Sequence, residues 1–271
     1  MNRRVLPGFS LSLGYTVFYL TVLVLLPIVA CFSKAGSLTF QQFWGAVWTE
    51  RTRAAYLLTF GASFTAAVIN LFLGLLVAWV LVRYQFPGRR LMDSLIDLPL
   101  ALPTAVGGLV YASLYVKKGW LGQYLVPLAI QAAYSRLAIV LVLVFIGLPF
   151  VVRTVQPVLE DLDPETEEAA ASLGATRGQA FRRVILPSLL PALITGFALA
   201  FARALGEYGS VVFVSGNMPY KTEIAPILIV ARLEEFAYGE ATAIAVVLLV
   251  ISFSMLVLIN LLERWSKAEE A

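Results

Sequence analysis

Arg203 and Glu207 stand four residues apart at the end of an apolar run from Ser188 to Leu205. A charged side chain at mid-membrane costs roughly 2.5 to 3.5 kcal/mol on insertion scales, so ionisable groups in such a run are functional candidates. Spaced i, i+4 on one helix face, the two either neutralise one another or line a water-filled path. A second candidate is Asp97-Leu98-Pro99-Leu100-Ala101-Leu102-Pro103-Thr104-Ala105-Val106-Gly107-Gly108. Its prolines remove backbone donors and its glycines loosen the adjoining turns, so amides and carbonyls freed at membrane depth must meet protein or water. Either a broken helix lining a cavity or a kink packed on its neighbours meets that requirement. Ordinary catalysis has few groups to draw on. There is no histidine and Cys31 is the only cysteine, which excludes a His-based metal site, a His-dependent triad and an intrachain disulfide. Asp97, Arg203 and Glu207 form no recognisable catalytic motif, so no catalytic residue, metal site or cofactor is expected. No Gly-x-x-x-x-Gly-Lys-Ser/Thr loop is present to cradle a nucleotide.

The one long polar interruption runs from Asp163 to Pro187. Asp163 can accept from the free amides of a first helical turn, Pro164 suits the first helical position, and Glu165, Glu167 and Glu168 favour the positive end of the helix dipole. Gly174 falls where a left-handed residue would close that helix, and Thr176 with Gln179 forms a capping box that opens a second. Two short helices joined by a glycine elbow are expected. The first presents a small, smooth alanine face that packs on its own bundle or fits a groove on another protein.

Elements of membrane type must position these groups. With 60% hydrophobic and 14% charged residues and a mean hydropathy of +0.84, the chain falls in the membrane class. A net charge of +3 implies no basic face for nucleic acid. Six spans are expected at about 11–32, 54–82, 94–116, 137–152, 188–205 and 241–262, within one all-α transmembrane domain, 1–271, with both termini cytoplasmic. The first run follows Arg3 and Arg4, and Ile28-Val29-Ala30-Cys31 resembles a lipoprotein cleavage site. At roughly 20 residues it exceeds a signal core of about 7 to 15, so it is expected to stay in the protein. Trp44 and Trp48 mark an interfacial helix. Asn70, inside the second span, is expected to make a helix-to-helix hydrogen bond. Arg83-Tyr84-Gln85-Phe86-Pro87-Gly88-Arg89-Arg90 is a basic turn that the positive-inside rule places in the cytoplasm. The stretch 224–233 is too short to cross and is expected to be a surface or re-entrant piece.

Glu168-Ala169-Ala170, Gly174 and the closing Leu186-Pro187 resemble the EAA loop of permease subunits of ABC importers, with Val184 where that family usually has Ile. The pieces Arg83 to Arg89, Asp97 to Gly107, Pro149 to Glu160 and Ala204 to Gly209 are similar to the T-type permease of sulfate/thiosulfate importers. The EAA loop and Leu205-Gly206-Glu207-Tyr208-Gly209 are also similar to molybdate and tungstate permeases. The resemblance implies the type I ABC importer fold, with a coupling loop at 158–187 in the cytoplasm docking into an ATPase through Glu168, Ala169, Ala170, Gly174, Leu186 and Pro187. It implies two copies of that ATPase, a related W-type permease and a periplasmic sulfate/thiosulfate-binding protein as partners. For the anion, Thr104 and Ser113 are hydroxyl candidates beside Arg203 and Glu207. The rival from another class is a proton-coupled secondary anion carrier using Glu207 and Arg203, which vesicle uptake driven by a proton gradient without an ATPase would reveal.

Overall fold

The computed structural model describes residues 9–268, whose regular elements are all helices, with no strand among them. Arg3 and Arg4 lie outside the described residues. Helix α1 (Phe9–Leu20) runs through a π-helical turn (Thr21–Leu25) into α2 (Leu26–Gly36). Its side chains are apolar all round and almost all exposed, as expected of a helix facing lipid or another chain. Helix α3 (Phe40–Val47) opens with a Thr39/Gln42 capping box and carries Trp44, with Trp48 as its C-cap; both rings are exposed, edge to face. Helix α4 (Glu50–Arg83) is capped by the Thr49 hydroxyl.

The next segment is not one helix. Gly88, at φ +88°, turns the chain into α5 (Arg89–Ile96), followed by α6 (Leu98–Ala101) and α7 (Thr104–Tyr115). Pro99 starts α6. Leu102 is extended at ψ 137° ahead of Pro103, as a residue before proline is pushed to be, and α7 begins only after that proline. The expected span 94–116 is therefore three short helices. Among the described residues, five helical stretches are long and apolar enough to cross a membrane: Leu11–Gly36, Glu50–Arg83, Arg136–Glu160, Arg177–Leu205 and Tyr238–Leu261.

After α8 (Gly122–Leu125) come α9 (Arg136–Glu160), α10 (Pro164–Ser172), α11 (Arg177–Ala180), a π-helical turn (Phe181–Ile185) and α12 (Leu186–Leu205). Short α13 (Val211–Val214) and α14 (Ala225–Glu234) lead to α15 (Tyr238–Ala268). Helix α14 is no surface piece: Ala225, Ile227 and Leu228 are buried, in contact with α4 and α15.

The core is a seam of α4, α9 and α12. Between Thr59 and Ala78 the buried positions of α4 are small or polar: Thr59, Ala62, Ser63, Ala66, Ala67, Asn70, Gly74 and Ala78. Small faces let backbones approach closely, which is how helices hold together where burial from water offers little. A Cβ on Gly74 would lie 2.6 Å from Cγ1 of Val151, and one on Gly196 would lie 2.4 Å from the Thr154 hydroxyl. Asn70 departs from expectation. Its carboxamide is buried against Gly147 of α9, yet neither Oδ1 nor Nδ2 has a hydrogen-bond partner. Leaving a buried polar group unpaired costs about 1–3 kcal/mol. Asn70→Leu, of similar length, is thus expected to raise the thermal midpoint of the protein in detergent; a lowered midpoint would mean that the amide is paired after all.

Candidate functional site

Helix α12 ends at Leu205, and its last turn delivers Arg203 next to the chain reversal at Gly206–Ser210. Nη1 of Arg203 donates to Oε2 of Glu207 at 2.5 Å, and Oε1 of Glu207 accepts from both the backbone amide and the hydroxyl of Ser210, each at 2.8 Å. The Glu207 side chain is 3% exposed and that of Arg203 33%. Both carboxylate oxygens are thus committed: Glu207 neutralises its neighbour and anchors the turn that starts α13. Arg203 keeps an open side.

The start of α7 rests on this turn, backbone to backbone. A Cβ on Gly108 would lie 2.2 Å from the carbonyl oxygen of Ser210, and one on Gly209 would lie 2.3 Å from Oγ1 of Thr104. Thr104, Arg203 and Glu207 are therefore gathered at one junction, where the proline-broken segment meets the end of α12. Ser113 is not part of it. It is exposed, donates to the Val110 carbonyl at 2.8 Å, and sits about 13 Å along α7 from Thr104 at 1.5 Å per residue.

The elbow is built from local capping. Oδ1 of Asp163 accepts from the Glu165 amide at 2.9 Å, Pro164 is the first residue of α10, and Gly174 at φ +83° turns the chain. Thr176 and Gln179 exchange capping bonds of 3.4 and 2.8 Å, and Pro187 lies in the first turn of α12. Glu168, Ala169, Gly174 and Pro187 are exposed, Ala170 and Leu186 half-buried. At the tip Leu173 is 89% exposed, which is unusual for a large apolar side chain.

Two clamps could not be foreseen from the sequence. Arg153 of α9 holds both oxygens of Asp97 (Nε at 3.0 Å, Nη2 at 2.7 Å), the carboxylate of Asp93 (2.6 Å) and the Asp93 carbonyl (2.8 Å), fixing α5 to α9. Arg51 forks onto buried Glu223 at 2.8 and 2.7 Å, tying the start of α4 to the loop before α14. Such planar two-bond pairs hold orientation as well as charge. The i, i+4 spacing of Asp93 and Asp97 was the only sequence signal for the first; nothing pointed to the second. Among the described residues no group of His, Cys, Asp or Glu is placed to hold a metal ion.

Comparison with known proteins sets these features in a family. The chain is 50% identical over 262 residues to "Sulfate transport system permease protein CysT" of Salmonella typhimurium, covering 97% of this chain and 95% of that protein. It is 48% identical to the protein of the same name from Escherichia coli, with the same coverage, and 50% identical to that of Synechocystis sp., covering 93% and 88%. Among solved structures, a chain of a bacterial ABC transporter involved in the import of alginate superposes with a TM-score of 0.77 at 15% identity, covering 94% of each chain. One of an amino acid ABC transporter gives 0.57 at 20% identity, covering 84% of this chain and 99% of that one. The fold is thus that of ABC importer membrane chains. Residues 70–268, which contain the junction and the elbow, match the family described as "Binding-protein-dependent transport system inner membrane component", and the chain belongs to that family.

Proposed function

We propose that this chain is the transmembrane permease subunit of an ATP-driven importer of sulfate and thiosulfate, worked by a separate ATPase through the elbow. The observation that carries this reading is identity of about half the residues, over almost the whole length, to proteins named as sulfate transport permeases. Energetics agree with a motor. Moving a dianion inward against an inside-negative potential costs roughly 2.3 kcal/mol per charge per 100 mV, before any concentration gradient. Nothing in this chain binds nucleotide by a phosphate loop, so hydrolysis falls to partner ATPases, two copies in our reading, and the chain itself is not an enzyme.

The elbow and the basic turn at Arg83–Arg90 share one end of the molecule, joined by an Arg83–Glu167 ion pair. The positive-inside rule assigns that end to the cytoplasm. Completed by the proline-broken segment as a sixth crossing, the chain has both termini there. A related W-type permease supplies the other half of the path, and a periplasmic binding protein delivers the anion to the opposite end. At the junction, Arg203 and Thr104 are the groups we assign to the anion path, with Glu207 holding Arg203 in place. Ser113 has no geometric support for such a role.

The reading is tested by purifying the complex and measuring ATPase stimulation by binding protein loaded with sulfate, thiosulfate or molybdate in turn. Stimulation by sulfate and thiosulfate is expected; stimulation by molybdate alone, or uptake driven by a proton gradient without ATPase, would overturn it. Gly174→Val places a β-branched residue at φ +83°, a left-handed conformation costing about 1–2 kcal/mol for residues with a Cβ. Its expected outcome is an assembled complex with reduced coupled transport. Wild-type uptake in that variant would count against the elbow as the lever.

A further inference from the structure

We infer that the last turn of α4, through Arg83 and Trp79, is the seat on which both arms of the elbow are held, so that motion of the elbow enters α4 as well as α12. The inference rests on the elbow being the docking site of the ATPase, and adds positioning residues outside it.

On α10, Glu167 and Ala170 are half-buried, while Glu168, Ala169 and Ser172 are exposed. Residues three apart share a helix face, so the Glu167 side faces the body of the protein and the Glu168 side is open to a partner. The buried side is fixed by the ion pair between Glu167 and Arg83, the last residue of α4. Arg83 lies with its guanidinium carbon 5.2 Å from the ring centre of Trp79, one turn back, in cation–π geometry. The same Trp79 ring meets Phe181, edge to face, at 5.5 Å between centroids. Phe181 is the first residue of the π-helical turn on the returning arm. One arm is therefore held by charge and the other by aromatic packing, on side chains a single turn apart.

Helix α4 can carry what it receives. It is 34 residues long, about 50 Å at 1.5 Å per residue, and is packed along its length on α9 and α12. At its other end Arg51, its second residue, is forked onto Glu223 in the loop before α14. Ion pairs thus fasten both ends of one rod, the first to the elbow and the second to a loop on the opposite side. Helix α12 is joined to the elbow by chain continuity, but through the π-helical turn, so α4 offers the second connection.

The experiment uses the assembled complex with Arg83→Glu, Glu167→Arg and the double exchange, measuring uptake, binding-protein-stimulated ATPase and the amount of ATPase retained. Arg83→Glu sets two like charges together and is expected to cut uptake per ATP hydrolysed about tenfold, within the range of typical coupling factors. The double exchange is expected to recover most of that loss, whereas an ion pair with a merely structural role would change the amount of assembled complex and leave uptake per ATP as it is. Wild-type coupling in Arg83→Glu, or a double exchange no better than the single ones, would overturn the inference alone. An unaltered complex that retains no ATPase would overturn the docking reading and the inference with it.

Discussion

Gly108→Val is expected to abolish transport and to lower the thermal midpoint of the purified protein. The added Cβ would lie 2.2 Å from the carbonyl oxygen of Ser210, 2.7 Å from its Cα and 2.8 Å from its carbonyl carbon. All three are backbone atoms, so no side chain can rotate away; either α7 or the 206–210 turn must move. Overpacking costs about 1–3 kcal/mol and more where nothing yields, and the upper end applies here. The displacement would also separate Thr104 from Gly209 and disturb the turn that holds Glu207. Gly206→Ala is the matched control, because its Cβ would meet nothing within 4 Å. A Gly108→Val protein that melts and transports like the unaltered one would show that α7 does not rest on this turn.

The second large effect is expected from Glu207→Ala. It removes the carboxylate paired with Arg203 and orphans the amide and hydroxyl of Ser210, which is fully buried. Breaking a buried pair from one side costs about 3–5 kcal/mol, and a third of Arg203 being exposed places this case at the low end. Glu207→Gln keeps an acceptor for Ser210 and loses only the charge, so its loss should be smaller. Adding Arg203→Met to Glu207→Ala should restore part of the stability by removing the unpaired cation, without restoring transport. Thermal melts in detergent and uptake in vesicles separate the two effects; a double variant that transports normally would remove Arg203 from the anion path.

Short-range chemistry was readable in the sequence, and long-range pairing was not. The Asp163 cap, the turn at Gly174 and the Thr176/Gln179 box depend on residues within three of one another, and each is present in the structure. Pro103 announced the break before α7, because a proline restricts the residue before it whatever the surroundings. That it would divide the expected span 94–116 into three helices, and not merely bend it, depended on packing. Arg153 reaches across 56 and 60 residues to Asp97 and Asp93, and Arg51 across 172 to Glu223; no spacing rule reaches that far. Asn70 shows the opposite error. An amide in an apolar run invites a partner, yet the residue facing it is a glycine with no side chain to answer. Of the four proposed path residues, three converge because α7 and the end of α12 meet, while Ser113 lies too far along its helix. Composition alone could not make that distinction.

The widened turn at Phe181–Ile185 inserts one surplus residue into a helical rod that continues through Leu205. Each residue of an α-helix advances about 100° around its axis, so absorbing or releasing that surplus swivels everything beyond Leu186 while leaving its ladder of bonds unbroken. A swivel at that turn would re-aim Arg203 at the far tip of the rod.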